Sequence, residues 1–149
     1  MAPRLPVVLS TVQDFAARAG AERVVVLLDA EPRLMVERTY DGTLQVTEGE
    51  ATRPAAPEAG VAALALPGLR AVPATALSAD PETGDLAAPL GSVQLLADSV
   101  LALARSFGGR SVATATFPTR DPETPLTVAA RDGEPVVLDI AGRHFTLPV

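Results

Sequence analysis

Ser92-Val-Gln-Leu-Leu-Ala-Asp-Ser-Val-Leu-Ala-Leu-Ala-Arg-Ser-Phe107 is the segment on which the fold turns. Within it Val93, Leu96, Val100, Leu103 and Phe107 recur at three- and four-residue intervals, and Gly108-Gly109 follows. That spacing predicts a helix with one buried apolar stripe and a glycine stop. Its first residues, 92–95, also fit a short strand leading into the helix.

After this helix come three strand signals, at 111–117, 126–130 and 136–147, the last broken near Gly142. Asp132-Gly133 supplies the turn between the second and third. The same order stands earlier in the chain. Ser10 or Thr11 is a suitable cap for a helix carrying Val12, Phe15, Ala16 and Ala19, and Gly20 ends it. A continuous Val/Leu run over 23–29 and an alternating segment over 34–40 then predict two strands. Asp41-Gly42 suits a type I′ turn into a third strand over 43–47.

The expected fold is therefore α+β: two helix-plus-three-strand units, at about 10–50 and 91–149, giving a mostly antiparallel sheet with two helices packed on it. Residues 1–149 form one domain in this reading, a length sufficient for a hydrophobic core without disulfides or metal. Between the units, 51–90 carries Pro54, Pro57, Pro67, Pro73, Pro81 and Pro89 and is expected to be mostly loop. Its apolar pieces, 61–66 and 69–77, are expected to pack, because a bare connection of this length is unusual inside a domain.

Composition excludes several chemistries. All 12 basic residues are Arg, and Cys, Lys and Asn are absent. A Schiff-base lysine, a phosphate-loop lysine and a thiol nucleophile are thus ruled out. The formal charge of -6 argues against a surface that grips nucleic acid by neutralising phosphates, so weak or no DNA binding by the isolated chain is expected. The N-terminal apolar run is too short for a signal-peptide core, and 60–69 is too short for a membrane span, which predicts a cytoplasmic protein.

No catalytic, cofactor or metal residue is assigned. His144, the single histidine, has Asp139 nearby, but no serine sits in a nucleophile-elbow pattern, so a solvent-facing strand position is the expectation. Asp-Pro-Glu-Thr occurs at 80–83 and again at 121–124. Its spacing lacks the closing Glu of a calcium loop, and turns are expected at both. Glu48 and Glu50 are expected at a solvated loop edge. Arg18, Arg105 and Arg110 lie on or just after the two helices and are the candidate nucleic-acid-facing residues, opposed by Asp14 and Asp98 on the same helices.

Several strings resemble the DNA sliding-clamp domain, which pairs two helix-plus-strands units. Between Gly91 and Gly109, Gly-Ser-Val-Gln-Leu followed by Ala-Asp-Ser-Val-Leu-Ala-Leu-Ala-Arg resembles a clamp strand running into its helix. Asp121-Pro122 with Pro125-Leu126, the terminal Phe145-Thr146-Leu147-Pro148, and Asp41-Gly42-Thr43-Leu44 are similar to clamp turns, terminus and hairpin. This resemblance implies a non-enzymatic accessory role in DNA replication or repair. The order of elements also resembles the roadblock domains, dimerising scaffolds that bind GTPases or their regulators. A clamp-like chain places a strand at 92–95; a roadblock-like chain joins its halves through one continuous sheet and runs a long helix from Ser92. A small-molecule-binding domain or an unrecognised enzyme is the remaining alternative. Both resemblances imply a homo-oligomer, and the expected exposed edges, 111–117 and 143–149, carry few charges to prevent pairing.

Overall fold

Pro6, rather than Ser10 or Thr11, marks the start of the first helix. The computed structural model describes residues 4–28, 33–80, 82–83 and 86–147. Helix α1 spans Leu5–Ala19 with proline in its first turn, where the missing N–H has no intrahelical partner in any case. The two hydroxyls expected as caps are buried inside the helix and hold the connection instead. Ser10 Oγ donates to the Val61 carbonyl at 3.1 Å. Thr11 Oγ1 donates to the Val7 carbonyl at 2.7 Å and accepts the Leu64 N–H at 2.9 Å. Gly20 closes α1 in the left-handed region, at φ 73°, and a Cβ there would meet Ala71 Cβ at 3.3 Å. The left-handed backbone favours glycine, and the close approach to Ala71 adds to that preference.

Four strands follow: β1 (Arg23–Leu28), β2 (Leu34–Arg38), β3 (Leu44–Glu48) and β4 (Ala51–Ala55). The connection then carries a 3-10 turn, Ala74–Ala76, and a pair of two-residue antiparallel strands, β5 (Ser78–Ala79) and β6 (Leu86–Ala87). Helix α2 is Leu90–Ser106, so 92–95 is helical. The chain ends in β7 (Val112–Phe117), β8 (Leu126–Arg131), β9 (Val136–Ile140) and β10 (Arg143–Leu147). The α+β architecture is as expected, with helices packed on a mostly antiparallel sheet. Each helix is followed by four strands of the main sheet rather than three. The extra ones are β4, in a segment whose prolines predict mostly loop, and β10, which Gly142 separates from β9.

These strands form one eight-stranded sheet in the order β10-β9-β8-β7-β1-β2-β3-β4. The halves join where β1 pairs antiparallel with β7, Arg23 opposite Thr116 and Leu27 opposite Val112. The expected edge at 111–117 is thus overturned, since β7 lies mid-sheet between β1 and β8. Its backbone is paired on both sides, so its Ala/Thr sequence needs no charges to keep another strand away. The edges are β4 and β10.

One face of the sheet carries the core. Val24 and Val26 of β1, Val36 of β2, Ala113 and Ala115 of β7, and Val128 of β8 are fully buried beneath Phe15, Leu96, Val100 and Leu103 of the helices. The whole predicted α2 stripe is buried, Val93 and Phe107 included. From the connection, Leu66 and Leu77 join the same cluster.

The two Asp-Gly dipeptides occupy equivalent places, linking β2 to β3 and β8 to β9, yet their geometry differs. At the first, Gly42 is left-handed but Asp41 is not, so the expected type I′ turn is replaced. Gly42 N–H bonds to the Thr39 carbonyl and Thr39 N–H to the Thr43 carbonyl, leaving a three-residue loop. The Asp41 carboxylate stabilises it by accepting from the Thr39 hydroxyl, the Thr43 N–H and the Thr43 hydroxyl. At the second, Glu134 N–H bonds to the Arg131 carbonyl, with Gly133 third in the turn.

The Thr39 hydroxyl foremost, then the Thr43 N–H and hydroxyl, hold the Asp41 carboxyl down from 3.8 to about 2. Its folded value is below the unfolded one, so this loop's extra stability is present in full above the unfolded value and is lost as pH falls through about 2. A carboxyl NMR titration is expected to show the depressed midpoint in the native protein, and Asp41→Asn to remove that part of the acid dependence. An Asp41 midpoint at the ordinary 3.8 would contradict the geometry.

Candidate functional site

The three arginines singled out in the sequence do not form one surface. Arg18 sits in the last turn of α1, beside the start of β1, and pairs with Asp14 at 3.3 Å. Arg105 sits in the last turn of α2, before β7, and pairs with Asp132 at 2.8 Å. Because β1 and β7 run antiparallel, the two helix ends lie at opposite ends of the sheet. Arg110 follows α2 and stays at the Arg105 end, in a different group of side chains.

His144 and Asp139 are direct cross-strand neighbours on the β9–β10 hairpin, their Nδ1 and Oδ2 atoms 3.3 Å apart. His144 is largely exposed. Glu48 pairs with Arg53 on the exposed β3–β4 hairpin, and Glu50 is exposed in its turn. Both Asp-Pro-Glu-Thr copies contain side-chain turns: Asp80 Oδ1 accepts from Glu82 and Thr83 N–H, and Asp121 Oδ1 from Glu123 N–H. Those bonds, Glu82 first, also hold the Asp80 carboxyl below its ordinary value. Folding brings the two copies together, so that Asp80, Arg120, Asp121 and Thr124 line one shallow cavity. Arg120 is already engaged there with the Thr75 carbonyl at 2.7 Å. Among the described residues no cluster of three or more His, Asp or Glu is placed to hold a metal ion.

Two features missed in the sequence stand out. The sheet's second face is partly exposed along its centre, where Leu27, Val112 and Arg131 lie in one row across β1, β7 and β8. At the end of that row, Arg33, Arg110 and Arg131 surround a cavity of about 170 Å³, with Leu27 and Leu28 of β1 at its base. Pairing of β1 with β2, β7 with β8 and β1 with β7 brings these arginines together from three distant parts of the chain.

No family model, curated protein or solved structure matches this chain. Its geometry is therefore the ground for any functional reading. Among the described residues no helix is long and apolar enough to cross a membrane.

The second missed feature is the contrast between the sheet edges. Edge β4 contains Pro54 and the paired Arg53, both devices that discourage strand addition. Edge β10 has the sequence Arg-His-Phe-Thr-Leu and no proline. Ala141 and Gly142 are both left-handed, at φ 52° and 78°, which makes a tight two-residue hairpin with Ile140 opposite Arg143. In such a hairpin the residues flanking the turn exchange hydrogen bonds, and alternate residues then point their backbone groups away. On β10 these are His144 and Thr146.

Proposed function

We propose that the protein is a cytoplasmic, non-enzymatic binding scaffold that works as a homodimer, in the manner of the roadblock-like domains it resembles. The β10 edge carries this reading. A two-fold axis through Phe145 sets His144 of one copy against Thr146 of the other, so their outward N–H and carbonyl groups pair reciprocally. The result is one continuous sheet across both subunits, the closed symmetric solution for an open edge. The partner class implied by the roadblock resemblance is a small GTPase or its regulator. Support for that resemblance comes from α2 running unbroken from Leu90 and from the single sheet joining the halves. A clamp-like accessory role in DNA replication or repair draws less support, because 92–95 is helical and Arg18 and Arg105 are paired with acids at opposite ends of the sheet.

Light scattering over a wide concentration range tests the dimer. Wild-type protein is expected to show a dimer mass and Thr146→Pro a monomer mass with unchanged circular dichroism. The substituted N–H points away from β9, and proline is tolerated on an edge at such a position. A strictly monomeric wild type, or a folded Thr146→Pro variant that still dimerises, would contradict the proposal.

A further inference from the structure

The geometry points to a binding site for a small phosphate-bearing molecule at the cavity of Arg33, Arg110 and Arg131. Three of the twelve basic residues of an acidic chain gather around a space of about 170 Å³. The side chains of Arg33 and Arg110 have no hydrogen-bond or ion-pair partner among the described residues, whereas Arg18, Arg23, Arg53 and Arg105 each hold a carboxylate. Arg131 Nε is buried without a hydrogen bond, and the Glu134 carboxylate stands 3.8 Å from it, beyond hydrogen-bonding range.

Like charges held together, with Arg33 and Arg110 unpaired among the described residues and Arg131 facing Glu134 only at 3.8 Å, disfavour the folded state, and a bound anion reverses the sign of that effect. Guanidinium groups suit phosphate in particular. Each presents a planar fork of donors that binds two oxygens at once, and three forks match a dianion with three free oxygens better than they match a carboxylate. Leu27, half-buried on the same face of the sheet, is the apolar side chain beside the arginines against which the organic part of a phosphomonoester can rest.

The site has its own strand-end logic. Arg33 immediately precedes β2, Arg110 stands two residues before β7, and Arg131 closes β8. Arg131 is held in the ladder opposite Val112, and Arg33 and Arg110 lie just outside the first paired residues of their strands. The site is independent of the β10 edge, so loss of dimerisation and loss of phosphate binding are separable results.

The test is thermal unfolding and calorimetric titration of the full chain with inorganic phosphate, a nucleoside monophosphate, sulfate and acetate at matched ionic strength. Phosphate is expected to raise the melting temperature more than acetate does, and Arg110→Gln to weaken phosphate binding about ten-fold or more, the usual consequence of losing a charge-assisted hydrogen bond. Arg110 is exposed and its side chain is unpaired among the described residues, so this variant is expected to fold. Without phosphate, Arg33→Gln/Arg110→Gln is expected to melt at or above the wild-type temperature, an outcome foreign to a merely structural role. Tighter binding of the nucleoside monophosphate than of inorganic phosphate identifies an organic phosphate as the ligand; the reverse order identifies the free ion, and either supports a phosphate site. Equal responses to acetate and phosphate, or an unchanged response in Arg110→Gln, would overturn it. So would no response at all, the result expected if the chain's own acids already neutralise the cluster.

Discussion

Replacing Leu103 by alanine is expected to lower folding stability by about 2–5 kcal/mol, the range for truncating a large aliphatic side chain in a packed core. Leu103 is 0% exposed and sits in the middle of the α2 stripe, flanked by the fully buried Val100 and the buried Phe107. The α2 stripe packs chiefly on β8 and β7, and the β7 residues beneath it, Ala113 and Ala115, are too small to fill the vacated space. Relaxation is correspondingly limited, which favours the upper part of the range. Denaturant unfolding measures the loss, with Asp98→Ala on the exposed side of the same helix as a control expected to stay within about 0.5 kcal/mol of wild type. An unchanged unfolding midpoint for Leu103→Ala would remove the central element of the fold as described.

That stripe was legible in the sequence because helix burial follows a period the residues display directly. So were most strands, whose alternation or Val/Leu runs report the buried face. What local pattern does not encode is neighbour order. The low charge of 111–117 is compatible with an undefended edge and equally with a strand enclosed mid-sheet, and only the pairing of β1 with β7 distinguishes them. The strand β4 was hidden by Pro54, whose presence argues against a central strand; it sits opposite Gln45 at the sheet edge, where a missing N–H is tolerated. The start of α1 was misplaced because Ser10 and Thr11 have the chemistry of caps but spend their hydroxyls on Val61, Val7 and Leu64. A cap and a long-range clasp are indistinguishable until the distant segment is in place.

The site was less legible for the same reason. In the sequence Arg110 reads as a helix-end cation like Arg18 and Arg105, the arrangement that side-by-side helix ends would give. Antiparallel pairing of β1 and β7 instead separates Arg18 from Arg105 by roughly the length of a strand, at about 3.3 Å per residue. Arg33 and Arg131 carried no motif. The available signal was positional: an arginine immediately before or after a predicted strand, repeated at three strands that prove to lie within four successive places of the sheet.

Phe15→Ala, in α1, is expected to cost about 3–5 kcal/mol and to destabilise both halves of the sheet equally. Phe15 is 0% exposed and among the largest fully buried side chains. Its helix packs on β1 and β2, and β1 is bonded along its length to β7. The β1–β7 ladder and the shared core leave no surface at which one helix-plus-strands unit can open while keeping its own core covered. Unfolding is therefore expected to be a single cooperative transition in wild type and variant alike, with one denaturant slope. Hydrogen exchange gives the residue-level readout. The amides of Val36 in β2 and Val128 in β8, on opposite sides of the seam, should lose protection together and by similar amounts in Phe15→Ala. Were Val128 to keep its protection while Val36 lost it, the two units would be separate folding bodies, and the seam between β1 and β7 would be a contact rather than part of a common core.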